Sequence, residues 1–130
     1  MRFRYFDPTE QSTVEGDVRS GGEVAELISM VGGLRADRAP AVEFVGTDGS
    51  SLVVGVAGDR AILLFTDATG TAAHSISGAS GSGVVFDYFG SYTEVPASYS
   101  VPVGVAVEAA GGFAAGARPP AASGLELAAD

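Results

Sequence analysis

The chain has 130 residues, a net charge of −9, and 46% apolar against 18% charged residues. That length suits one compact domain burying roughly two thirds of its unfolded surface, and the apolar content excludes a disordered chain. Zero Cys removes disulfides, thiolate metal sites and cysteine nucleophiles, and a single His removes zinc centres and dyads built from several imidazoles.

Residues 1–6 alternate polar and apolar groups with Phe3 and Tyr5 on one face, and Asp7-Pro8 ends this first predicted strand. Ser20-Gly21-Gly22-Glu23 opens a helix, because a Ser three residues before a Glu can form a capping box. Val24, Leu27, Ile28, Val31 and Leu34 repeat at the three-four spacing of one helical face. Gly32-Gly33 stops the helix at about Val31, with Leu34 packing just beyond.

From Pro40 the period changes to two. Residues 41–45, 52–56 and 61–65 are apolar runs separated by GTDGSS and AGDR, which predicts an antiparallel meander. Asp67-Ala68-Thr69-Gly70 makes a further turn, GASGSG is a loop, and residues 84–89 are expected as the fourth meander strand. A second helix is predicted from about Ser100, with Pro102 in its first turn, where a missing amide costs nothing. Its apolar stripe is Val103, Ala106, Val107, Ala110, Phe113 and Ala114, and Gly116 ends it. Interior Gly104, Gly111 and Gly112 lie off the stripe and make this helix dependent on docking. Residues 125–127 are the last expected strand. The order predicts an α+β domain spanning 1–130, a single antiparallel meander sheet with both helices packed on one face.

All seven basic residues are Arg. Without Lys there is no phosphate loop of the usual kind, no Schiff-base chemistry and no polybasic anchor. Sixteen carboxylates set a field that repels phosphate backbones and membranes, so neither nucleic acid nor membrane is expected as a direct partner. The N-terminus has no apolar core of signal-peptide length, and nothing approaches a membrane span. Together with the Ala, Gly, Val and Arg bias, this reads as a cytoplasmic bacterial protein.

Chemistry-bearing motifs are sparse. GASGSG is followed by a strand, whereas a dinucleotide fingerprint must open a helix, so it reads as a hairpin loop. His74, between Ala73 and Ser75, has no orienting acid or nucleophile elbow in sequence and is expected as an exposed loop residue. Asp48, Asp59 and Asp67 sit beside turn glycines without the spacing of a calcium loop, and they read as turn formers. No catalytic, metal or cofactor residue is assigned. The segment YFGSYTEVPASY, residues 88–99, is more telling, since it gathers three Tyr, one Phe and Glu94. Such rings are either binding material, giving large contact area at low entropy cost, or filler between sheet and helix. Phe89 looks more like core and Tyr92 more like surface.

The C-terminal half resembles the first-described family of bacterial polymorphic-toxin immunity proteins. The resemblance is carried by Tyr88, Phe89 and Gly90, by Glu94 and Pro96, by Val101-Pro102, and by Phe113, Gly116, Arg118 and Pro119 in that order. The family usually carries a Trp after the Arg-Pro segment, and SGLEL stands there in this chain. The resemblance implies a non-enzymatic antitoxin that binds a cognate toxin domain in the producing cell and blocks its active site. Such toxins are often nucleic-acid deaminases, with nucleases also plausible. It makes Asp67, Asp87, Tyr88, Tyr92, Glu94 and Tyr99 the toxin-binding candidates, and Arg118 a structural residue pairing a carboxylate or capping helix carbonyls. An acidic partner suits the basic groove of such a toxin. The alternatives are a small carboxylate-dependent enzyme and an acidic adaptor or scaffold.

Overall fold

The computed structural model describes residues 1–34, 39–88 and 91–130. Phe89 and Gly90 lie outside the described residues. The fold is α+β, and the described residues form a mostly antiparallel open sheet of 10 strands with two helices.

The meander is β3 (Ala39–Val45), β4 (Ser51–Ala57), β5 (Arg60–Thr66) and β6 (Ala72–Ile76). Ahead of it come β1 (Arg2–Asp7), β2 (Ser12–Asp17) and helix α1 (Gly21–Gly32). After it come β7 (Val84–Tyr88), β8 (Ser91–Val95), the short β9 (Val101–Pro102), helix α2 (Val103–Ala114) and β10 (Glu126–Ala129). The main path runs β10-β6-β5-β4-β3-β1-β2, with every neighbouring pair antiparallel.

Both helices cover one face, as expected. Val24, Leu27, Ile28 and Val31 of α1 and Ala106, Ala109, Ala110 and Phe113 of α2 share one core with Phe44, Leu52, Val54, Leu63 and Phe65. Three buried alanines on α2 let its backbone approach the sheet closely, which offsets the poor propensity of its glycines. The Ser20 hydroxyl accepts from the Glu23 amide at 3.2 Å. Glu23 reaches back one residue further than expected, to the Arg19 amide at 3.0 Å. At the end of α2, Gly116 takes φ +106, and the Gly116 and Ala117 amides donate to Phe113 and Gly112 carbonyls. That left-handed cap requires glycine. Pro102 stands just before α2, not inside its first turn, because its backbone pairs with Arg60 of β5.

The other face corrects one expectation. The strand at Val84 does not extend the meander; β6 takes that place beside β5. Instead β7 pairs in parallel with the first residues of β3, at Ala39↔Phe86 and Pro40↔Asp87, and antiparallel with β8. The β7–β8 hairpin thereby folds over the face away from the helices, where Phe86 and Val95 pack on Ile62. This explains why β4 and β5 are apolar at consecutive positions: both of their faces are covered.

Candidate interaction surface

The hairpin is fixed from beneath by apolar and polar contacts. Glycine at position 55 leaves room for the Phe86 ring directly above β4. At the hairpin's other end Tyr88 Oη donates to Glu43 Oε2 at 3.2 Å, and Arg4 Nε donates to Glu43 Oε1 at 2.6 Å. The Glu43 carboxylate raises the Arg4 pKa through this bond, and burial, reinforced by Glu43, raises that of Tyr88. Between hairpin and sheet runs a cleft of about 300 Å³ with Val53, Leu64, Phe86 and Val95 on its walls. Its Glu43 carboxylate already holds two donors.

The outer face of the hairpin is different. Register places Val85 opposite Glu94 and Asp87 opposite Tyr92, so these four share one side. Val85 is 51% and Tyr92 55% exposed, and Met30 is the other large hydrophobic exposed among the described residues. Ser91, Thr93 and Glu94 are exposed as well. Isolated exposed apolar residues are common, but two on one face of one hairpin beside a carboxylate form a patch.

Of the six candidate residues, Asp87, Tyr88, Tyr92 and Glu94 are brought together on this hairpin. Tyr92 and Glu94 are at the surface, Tyr88 is half-buried on Glu43, and Asp87 is 5% exposed and held within the fold. Tyr99 is not on the hairpin itself; it packs against the Ile62, Phe86 and Val95 cluster beneath it and stacks on the His74 ring at 3.8 Å between centroids. Asp67 is not on the hairpin either but in the β5–β6 turn. There its Oδ1 accepts from the Thr69 amide at 2.9 Å, the Thr69 hydroxyl at 2.7 Å and the Thr71 amide at 2.9 Å. These bonds, the Thr69 hydroxyl first, hold its pKa below the ordinary carboxylate value.

Val85 and Glu43 escaped the sequence reading. Within VVFDY both faces carry apolar groups, so alternation alone does not say that Val85 points outward.

His74 also departs from expectation. It lies in β6, is only 6% exposed, and its Nδ1 is bonded to Asp130 Oδ1 while Tyr99 covers its ring. The neighbouring Ser75 hydroxyl donates to the Tyr99 carbonyl at 2.6 Å and accepts from the Leu63 amide at 3.0 Å. These groups stitch β6 to β5 and to the Ala97–Tyr99 turn. Arg60 does similar work, donating to the Ser100 hydroxyl at 3.1 Å and the Ser100 carbonyl at 2.7 Å. Among the described residues no group of three or more His, Asp or Glu is placed to hold a metal ion. No helix among them is long and apolar enough to cross a membrane.

Arg118 follows its expected structural role in both respects. Its Nε bonds Ser50 Oγ at 2.7 Å and Asp48 Oδ1 at 3.2 Å, and Nη1 donates to the Phe113 carbonyl at 3.3 Å near the end of α2. Its guanidinium also lies 4.4 Å from the Phe113 ring centroid.

The family model described as Immunity protein Imm1 matches residues 13–126, from β2 through both helices and the hairpin to the start of β10. The chain belongs to the Imm1 family. It is therefore an immunity protein by family, and the hairpin patch belongs to an Imm1 scaffold. No curated protein matches the sequence.

Proposed function

We propose that this Imm1 protein neutralises a cognate toxin domain by covering the toxin's active site with the outer face of its β7–β8 hairpin. The observation that carries this is the patch itself: Val85, Tyr92 and Glu94 exposed together on a hairpin anchored from below. Tyr92 and Val85 supply apolar anchors, Glu94 a directional carboxylate, and Asp87 and Tyr88 hold the hairpin's shape. The net charge of −9 steers the chain toward a basic groove, as carried by a toxin that acts on nucleic acid. Within that class we propose a deaminase, blocked in the cytoplasm of the producing cell, with no catalysis by the chain itself. A carboxylate enzyme needs a Glu or Asp available for proton transfer, and both carboxylates lining the cleft are engaged, Glu43 by Arg4 and Tyr88 and Asp130 by His74.

The test uses the toxin domain encoded beside this chain and follows its nucleic-acid deamination as the chain is titrated in. The double variant Tyr92→Ala/Glu94→Arg should need at least about tenfold more protein for the same inhibition, compared at equal folded fraction as read by thermal unfolding. Equal inhibition by the variant and the wild type overturns the hairpin assignment. Cleavage of nucleic acid instead of deamination would replace the deaminase with a nuclease and leave the docking face standing.

A further inference from the structure

A strand at the border of a sheet leaves one row of backbone N–H and C=O groups without a ladder partner, and such borders are usually guarded by charge, Gly, Pro or shortness. Apart from the two-residue β9, three strands hold border positions among the described residues: β2, β8 and β10. The first is guarded by Glu15, Gly16 and Asp17, and Arg2 reaches both carboxylates at 3.8 Å. The last is four residues long, Glu126–Ala129. By contrast β8 reads Ser-Tyr-Thr-Glu-Val, with no Gly or Pro and a single charge. Tyr, Thr and Val all favour strands, and Ser91 to Glu94 are exposed in succession. It pairs with β7 alone among the described strands.

We infer that β8 is a docking edge, to which the cognate toxin adds one extended strand of its own. This rests on the immunity reading above and specifies how the partner is held. Main-chain bonds to β8 supply affinity, while alternate side chains of the incoming strand lie beside Tyr92 and Glu94 on the outer face. The position beside Glu94 takes Arg or Lys, and the one beside Tyr92 takes an apolar group. The occupant is thus a basic, amphipathic strand. A second copy of this chain suits the edge poorly. Residues 91–95 hold no cation to meet Glu94, and pairing would bring together two bodies of charge −9.

The test is residue-by-residue amide exchange of the full chain by NMR, alone and bound to the toxin domain encoded beside it. In the complex, the outward-facing amides of residues 91–95 should exchange at least about tenfold more slowly than in the free, monomeric chain. A complex whose β8 amides exchange as in the free chain overturns the docking edge and leaves the immunity reading intact. Protection already present in the free chain, through a dimer seen by sedimentation, makes the occupant a second copy and overturns it as well. A toxin domain that does not bind at all overturns both proposals.

Discussion

Gly55 lies directly beneath the Phe86 ring, so that a Cβ built there would strike Phe86 Cδ1 and sit 2.9 Å from Cε1. The hairpin is seated on β4 through this contact. Gly55→Ala should therefore lift the hairpin and cost about 1–3 kcal/mol, the usual effect of overpacking a well-filled contact. Urea unfolding gives the cost, and chemical shifts of β8 show whether the hairpin moved. A neutral substitution would mean that the ring does not rest where the structure places it.

The second prediction concerns Arg118. Lysine keeps the charge near Asp48 but cannot also bond Ser50, reach the Phe113 carbonyl and cover the Phe113 ring. Arg118→Lys should cost about 1–2 kcal/mol by denaturant midpoint. Asp48→Asn should cost less, since the Ser50 and Phe113 contacts survive it.

Acid should loosen the turns before the core. Asp48 and Asp67 are held below the ordinary value of 3.8, chiefly by the hydroxyls of Ser50 and Thr69. A depressed folded pKa gives stability that is present above the unfolded value and lost as pH falls through the folded one. Denaturant midpoints measured from pH 6 downward should thus decline below about pH 4. Asp67→Asn should flatten that decline and leave Asp48's share in place.

Alkali should act through Tyr88. Burial and the neighbouring Glu43 raise its pKa above 10.0, as burial does for Tyr5. The neutral phenol is the folded form, so stability is complete below the unfolded value and lost as pH rises through the folded one. A near-UV absorbance titration should show a late-ionising component, diminished in Tyr88→Phe. That variant also loses the bond to Glu43, at a cost of about 0.5–1.5 kcal/mol.

The parts of the fold that were legible in sequence are those whose own residues enforce them. Ser20 and the Val24-Leu27-Ile28-Val31 spacing define α1 without outside help. The missed strands take their form from their neighbours. AAHSI of β6 has weak strand propensity and becomes a strand through its register with Leu64 to Thr66. STVEGD of β2 is polar because it borders the sheet, and it shows Ser12, Val14 and Gly16 on the helix side, with Val14 its one large apolar group. The candidate site was half legible for a related reason. Tyr92 and Glu94 sit on the same side of one strand, which spacing reveals. That Asp87 is buried and Val85 exposed depends on how the hairpin lies on the sheet, a tertiary fact that alternation does not encode.

Seating the hairpin on the face away from the helices also separates two kinds of evolutionary freedom. The helix-side core carries Phe44, Leu52, Leu63 and Phe113, whereas the hairpin leans on a few residues around Ile62 and Phe86. Val85, Tyr92 and Glu94 belong to neither apolar group. A lineage can thus rewrite what its hairpin recognises, one exposed residue at a time, without first acquiring a more stable scaffold.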